Sequence, residues 1–216
     1  MFVGHYAAAL AAKAAQPKAP LWIYVLGAEL VDVAWVGLVL AGVERIGLDK
    51  SLPGSPVTLS YIPYTHSLAA AGAWAVVSGL LAGYLLKLPR AASIAVGLVV
   101  ASHWGLDFLV QRSNLPLWFG GPKVGLGWWS HPVPEQALEM GLLAVAGSAW
   151  GWRRGLQGQD GWSTPLFMGF LLTLQLISTL APPIDSTSQM MVSSLSSYLL
   201  VTLFAWLMDQ GERRAR

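Results

Sequence analysis

The chain has 216 residues, of which 55% are hydrophobic and only 11% are charged. A soluble domain carries roughly a quarter charged residues, and the apolar residues here come in long runs, which indicates a polytopic membrane protein. The net charge of +2 includes no run of Lys or Arg, so nucleic acid is not an expected partner. The sequence contains no cysteine, which excludes both a disulfide and a thiolate metal site.

Six apolar stretches are each long enough to cross a bilayer, which takes about 20 residues. They lie near residues 20–44, 63–86, 91–111, 134–152, 164–181 and 188–208. The earlier stretch 3–15 predicts a helix too short to span, and Lys13 within it disfavours a signal peptide. We therefore expect one all-α integral membrane domain, residues 1–216, with six transmembrane helices and a short N-terminal half-spanning helix.

The distribution of basic residues predicts the orientation of the chain. Nine of the 13 Lys and Arg residues fall on one side of the predicted bundle, and the positive-inside rule places that side in the cytoplasm. The turn after the half-helix and the C-terminus are then cytoplasmic, and the loops 45–62, 112–133 and 182–187 lie outside. Gly79 and Gly83, spaced four apart, predict a close helix contact.

Isolated ionisable residues fall at one depth of this predicted bundle. Asp32 and His103 each lie twelve residues beyond the cytoplasmic start of a span, and His5 lies thirteen residues before Lys18. At about 1.5 Å per residue, these three residues lie roughly 18–20 Å from the cytoplasmic face. Asp107 lies one turn beyond His103 on the same helix face.

The depth of these residues corresponds to the outer half of the bilayer, and other polar residues are predicted to lie in that half too. His66 opens the second long span from outside, and Glu135 and Glu139 begin the fourth. Because an ionisable group in a bilayer costs about 2.5 kcal/mol or more to insert, such residues normally face one another or a wet cavity. Imidazole and carboxylate are the ligands that zinc takes from a protein without thiolates, so the convergence predicts a divalent metal site.

Each residue also has a structural explanation. His5 and Asp32 form a buried ion pair in this alternative, and His66 caps a helix at the membrane interface. Glu29 lies one turn from Asp32. It either orients a metal ligand from behind or only pairs with a neighbouring side chain. Glu135 and Glu139 open a helix, where the helix dipole favours acidic residues.

The residues "GHYAAALAAK", Asp32, "YTHS" and "SHWGLDF" resemble the membrane-bound metal-dependent hydrolases, also described as LexA-regulated inner-membrane-associated hydrolases. The likeness covers roughly residues 3–125 and includes "LPLWFGGPKVGLGWW". It implies a bacterial inner membrane and metal-ligand roles for five residues: His5, Asp32, His66, His103 and Asp107.

The chain departs from that family pattern at three places. In "ELVDVAW", Glu29 is the only acid besides Asp32, where the family commonly has two aspartates and a histidine. The stretch "YIPY" has no histidine before the Thr-His-Ser motif, and Gln111 stands where relatives have another histidine. These departures favour one metal ion over two.

The expected function is hydrolysis of a lipid-like or lipophilic ester or phosphoester by a metal-activated water. Asp107, Glu139 or Glu29 would accept the proton, and a carboxylate free of the metal is the better base. Gly120, Gly121 and Lys123 in "FGGPKVG" form either an anion site for the substrate or a simple turn.

Two other classes of protein fit the same residues. A transporter or proton-relay protein also carries acids and histidines in its spans. The other class is a metal-free acid–base enzyme, such as an isomerase or cyclase acting on a lipophilic substrate. In such an enzyme, the His and Asp of each pair would adjust each other's pKa.

Overall fold

The computed structural model describes residues 1–182 and 184–214, except for the side chains of 211–214. Most of the described residues lie in seven α-helices: α1 (His5–Ala15), α2 (Leu21–Leu40), α3 (Leu68–Tyr84), α4 (Arg90–Val110), α5 (Pro132–Leu156), α6 (Ser163–Leu180) and α7 (Thr187–Arg214). The mostly helical fold class and the short N-terminal helix are confirmed.

Helix boundaries follow local sequence signals. Pro20 and Pro89 directly precede α2 and α4, and α5 begins on Pro132, because proline is well suited to the first turn of a helix. The Ser67 side chain accepts a hydrogen bond from the Ala70 N–H, so α3 begins at residue 68 and not at the predicted 63. Gly42, in a left-handed conformation with φ +73°, follows α2, which ends four residues before the predicted 44.

Within the described part of the chain, four helices are long and apolar enough to cross a membrane: α2, α4, α6 and residues Thr187–Gln210 of α7. Helix α3 is apolar but has 17 residues, and α5 carries charged residues in its first and last turns. The number of six spans therefore stays a prediction.

Two small antiparallel hairpins lie where only loops were expected. Strands β1 (Arg45–Leu48) and β2 (Val57–Tyr61) pair after α2, and β3 (Leu115–Pro116) pairs with β4 (Lys123–Val124) after α4. A 3-10 turn, Trp128–Ser130, leads into α5. The Arg112 guanidinium donates to the carbonyls of Pro53 and Ser55, which joins the two hairpin regions into one cap at this end of the bundle.

The helices pack so that α1 is surrounded. It contacts α2, α4 and α5, while α2 also packs against α7 and α4, and α3 packs against α4.

Buried apolar side chains of the described residues form two clusters. One includes Tyr6, Leu10 and Phe167, and the other includes Trp35, Ile62 and the β2 residues Val57 and Leu59. The polar residues singled out above lie between these two clusters.

Candidate metal centre

Five ionisable side chains from α1, α2, α4 and the segment before α3 meet in the interior of the bundle. Each is at least nine-tenths buried: His5, Asp32, His66, His103 and Asp107. They are the five residues for which the family resemblance implies metal-ligand roles, and the sequence placed three of them, His5, Asp32 and His103, at one depth. The bundle brings them together because α1 begins at His5 and packs against both α2, which carries Asp32, and α4, which carries His103 and Asp107.

The two carboxylates each lie near several imidazole nitrogens. Asp32 Oδ1 lies 3.0 Å from His66 Nε2 and 3.4 Å from His103 Nε2. Asp107 Oδ2 lies 3.6 Å from His66 Nε2 and 3.7 Å from His103 Nε2, and its Oδ1 lies 3.3 Å from His5 Nε2. The amino group of Met1 also lies 3.4 Å from that oxygen.

The imidazole rings are packed against one another. The rings of His5 and His103 stack with centroids 4.0 Å apart and an interplanar angle of 10°, and His66 meets His103 edge-on at 5.5 Å. The indole of Trp35 covers the other edge of His66. This packing fixes the ring planes and points them at the carboxylates.

A hydrogen bond determines which nitrogen of His103 faces the centre. Its Nδ1 lies 2.8 Å from the Ala28 carbonyl oxygen, and a carbonyl can only accept, so Nδ1 carries the proton. In the neutral ring Nε2 then has a lone pair, and it has no hydrogen-bond partner among the described residues. His103 therefore presents a metal-ligand atom to Asp32 and Asp107.

The donor set fits a divalent cation. His5, His103 and Asp107 form one group of three possible ligands, and Asp32, His66 and His103 form another, each with its ligand atoms within 4.8 Å of one another. Zinc takes nitrogen and oxygen ligands at about 2.0–2.2 Å, which places tetrahedral ligand atoms roughly 3.3–3.6 Å apart. Two of the four separations at Asp32 and Asp107, 3.4 and 3.6 Å, fall in that range, and the other two, 3.0 and 3.7 Å, lie just outside it.

Tyr198 belongs to this centre, although the sequence did not indicate it. Its hydroxyl donates to Asp32 Oδ2 at 2.8 Å, which leaves Oδ1 for the imidazoles. A single tyrosine in an apolar helix is typical of packing, and its partner lies 166 residues away, so no local pattern could have selected it.

The three carboxylates predicted as bases lie in different surroundings. Asp107 lies inside the centre. Glu139 accepts hydrogen bonds from the backbone N–H groups of Phe2, at 2.9 Å, and Gly4, at 3.2 Å, so it holds the segment that carries His5. Glu29 is 1% exposed, and neither of its oxygens has a hydrogen-bond partner among the described residues.

Glu135 begins a polar chain that leads away from the centre. Its Oε2 accepts from the Gln136 side chain, whose carbonyl oxygen accepts from the Gln175 amide on α6 at 2.8 Å. This chain joins α5 to α6 and does not contact the five clustered residues through any hydrogen bond described.

The glycines and lysine of "FGGPKVG" lie in the second hairpin. Gly120 occupies a left-handed position with φ +68°, and the Gly121 N–H donates to the Trp118 carbonyl at 2.9 Å. The Lys123 ammonium donates to the backbone carbonyls of Leu59 and Ser60. These groups bind within the hairpins, as in the turn that the sequence offered as the alternative to an anion site.

The fold and the centre define a class of protein: a helical chain with membrane-spanning segments by length and composition, and a buried His/Asp cluster that could hold a metal ion. No family model, no curated protein and no solved structure matches the chain. The resemblance to the inner-membrane hydrolases therefore stays a prediction.

Proposed function

We propose that the chain is a membrane-embedded, metal-dependent hydrolase acting on a lipid-like or lipophilic ester or phosphoester. The observation that supports it is the arrangement of carboxylate oxygens opposite imidazole Nε2 atoms, 3.0 and 3.4 Å apart at Asp32. A proton on His66 Nε2 makes the 3.0 Å contact a hydrogen bond, whereas a carboxylate oxygen and an unprotonated Nε2 repel each other unless a cation lies between them. A divalent cation supplies the positive charge in an interior where unpaired charges are costly.

Three of the five residues are best suited to hold the ion, because each has a second partner that orients it. Tyr198 binds Asp32, Thr65 binds His66 and the Ala28 carbonyl binds His103. Ligand histidines in proteins nearly always donate their other ring N–H in this way. His103 has a single free nitrogen and belongs to both possible ligand groups, which favours one ion, with zinc the proposed metal.

A bound divalent ion supplies Lewis acidity, which polarises an ester or phosphoryl oxygen and makes water more acidic. Glu29 is the proposed proton acceptor, because Glu139 is occupied by backbone N–H groups and Asp107 contacts His5. Water adds to the acyl carbon or phosphorus, the ester bond breaks, and the proton taken by Glu29 passes to the leaving alkoxide.

We further propose that α2 to α7 all span a bacterial inner membrane, with the hairpins outside and the centre toward the outer leaflet. The side chain of Asp32 is 11% exposed, more than the other four residues, and we propose that the substrate reaches the centre beside Asp32 and Tyr198, between α2 and α7. An opening between two apolar helices favours a substrate that is dissolved in the bilayer.

Elemental analysis of protein purified without added metal tests the proposal. We expect about one zinc per chain in the wild type and its loss in His103→Ala and Asp32→Ala. His131→Ala is the matched control, because His131 is the fourth histidine of the chain and lies exposed before α5. That variant should keep the metal.

Metal retained in both His103→Ala and Asp32→Ala would contradict the proposed centre. The reaction class is tested separately with phospholipids and lipophilic nitrophenyl esters in mixed micelles. Chelation should abolish turnover and zinc should restore it. Turnover that survives chelation would favour a metal-free acid–base enzyme.

A further inference from the structure

A chain of hydrogen bonds runs from Glu44, between α2 and β1, to the imidazole of His66. Glu44 is 1% exposed, and its Oε1 accepts from the backbone N–H groups of Tyr64 at 2.8 Å and Thr65 at 3.1 Å. Its Oε2 accepts from the Thr65 hydroxyl at 2.6 Å, and that hydroxyl lies 2.8 Å from His66 Nδ1. Glu44 is 20 residues or more from its partners, so only the fold brings them together.

The direction of each proton in this chain follows from its partners. A carboxylate only accepts hydrogen bonds, so the Thr65 hydroxyl uses its one hydrogen on Glu44. The hydroxyl oxygen must then accept from His66, and Nδ1 is the protonated nitrogen. Nε2 lies 3.0 Å from Asp32 Oδ1, where it donates to the carboxylate if it carries a proton and offers its lone pair to a cation if it does not.

We propose that Glu44 and Thr65 are positioning residues that hold His66 as the Nδ1–H tautomer, so that its Nε2 is the nitrogen available to a divalent cation. The proposal rests on the metal-dependent function proposed above. His5 shows the contrast, because neither of its ring nitrogens has a hydrogen-bond partner among the described residues. Of the three histidines in the centre, His66 is the one oriented by a side chain.

This arrangement also gives a physical role to the threonine of "YTHS". Serine or threonine suits residue 65, because the single oxygen of a short hydroxyl side chain can donate to Glu44 and accept from His66 at once. The Glu44 carboxylate fixes the backbone of the same segment through two N–H groups, so ring and main chain are oriented together. The Trp104 indole N–H donates a further hydrogen bond to the His66 carbonyl, at 3.0 Å, which also fixes the backbone at residue 66.

Three variants separate the tautomer from other effects. Thr65→Val removes the hydroxyl at constant shape, whereas Thr65→Ser keeps it. Glu44→Gln is the sharpest change, because its amide nitrogen would donate to Thr65, and Thr65 would then donate to His66 Nδ1. That reversal moves the ring proton to Nε2, the nitrogen that should bind the cation.

The first readout is zinc affinity, measured by competition with a chelator in detergent. Loss of an outer partner of a ligand histidine typically costs about 10–100-fold in metal affinity. We expect a loss of that size in Thr65→Val and Glu44→Gln, and near wild-type affinity in Thr65→Ser. Thr179→Val, which removes a hydroxyl bonded within α6, is the matched control and should bind zinc as the wild type does.

The second readout is which ring nitrogen of His66 carries the proton in protein loaded with zinc. Histidine-selective ¹⁵N labelling and two-bond ¹H–¹⁵N spectra distinguish the protonated ring nitrogen, and His66→Asn assigns the signal among the four histidines. The wild type should show Nδ1–H, and Glu44→Gln should show Nε2–H.

Two results would overturn the proposal: unchanged zinc affinity in Thr65→Val, or an Nε2–H tautomer in the wild type. A wild type that binds no metal but shows Nδ1–H would remove the metal function and keep the orienting role of Thr65. Thermal unfolding of every variant shows whether an affinity loss comes from a failure to fold, and Thr65→Ser distinguishes the hydroxyl from the side-chain shape.

Discussion

Three buried glutamates near the centre differ in how their charge is satisfied. Glu44 accepts three hydrogen bonds and Glu139 accepts two, all from the chain itself. Glu29 accepts none among the described residues. A buried carboxyl group without donors costs stability, and such a cost is common at residues that act on a substrate. This contrast, and not the sequence, separates Glu29 from Glu139 as the proposed base.

The first prediction is that Glu29→Leu stabilises the protein. Removing an unsatisfied buried carboxyl should raise the free energy of unfolding by about 1–3 kcal/mol. One kcal/mol shifts Tm by about 2–4 °C in a chain of this length, and thermal unfolding in detergent measures the change. If Glu29 is the base, the stabilised variant has no hydrolytic activity.

Glu139→Leu is the matched control, because it removes a second buried glutamate with the same replacement. It should lower Tm, since the N–H groups of Phe2 and Gly4 lose their acceptor. Equal losses of stability in both variants would mean that Glu29 has a partner after all, and the assignment of the base would fail.

At the scale of elements, α3 and α4 pack closely against each other through glycines. A Cβ added at Gly97 would lie 2.8 Å from the Ala75 carbonyl oxygen, and one at Gly79 would lie 3.1 Å from the Ser93 carbonyl oxygen. The contact that the spacing of Gly79 and Gly83 predicted is therefore confirmed, with α4 as the partner. This packing matters to the centre because α4 carries both His103 and Asp107.

The second prediction compares two glycines of α4. Gly97→Ala should destabilise the protein by about 1–3 kcal/mol, because backbone on the facing helix must move. Gly105→Ala adds the same methyl group where no atom lies within 4 Å, and alanine's higher helix propensity should stabilise by up to about 1 kcal/mol. Thermal unfolding should thus shift in opposite directions. Equal effects would contradict the packing of α3 on α4.

Elements were predictable where one strong local signal existed. Long apolar runs located the helices, and the insertion cost of His103 and Asp107 marked the centre. The hairpins were missed because strands such as "RIGL" are short and are stabilised by pairing with β2 and by Arg112. Thr65 had a suggestive motif, but its function depends on Glu44, and that pairing could not be inferred without the fold.

At the scale of the whole molecule, the proposed topology depends on whether α3 and α5 are long enough to cross a membrane. At about 1.5 Å per residue, the 17 residues of α3 extend about 26 Å, slightly less than the roughly 30 Å hydrocarbon core. Helix α5 is long enough, and its charged side chains are buried or near its ends, with Arg154 paired to Asp160. These lengths are compatible with the six-span topology proposed above, which adds α3 and α5 to the four helices that are long and apolar enough.

The last prediction tests that topology with a membrane-impermeant thiol reagent, for which this cysteine-free chain is already suited. In right-side-out vesicles, Ser51→Cys and Ser188→Cys should be labelled directly. Lys87→Cys, after α3, and Gln157→Cys, after α5, should be labelled only once the membrane is permeabilised. All four residues are exposed, so burial within the protein does not decide the outcome. Direct labelling at Lys87→Cys would mean that α3 does not cross. Direct labelling at Gln157→Cys would mean that α5 does not cross. Either result would contradict the six-span topology, and with it the proposed path of a substrate from the bilayer to Asp32.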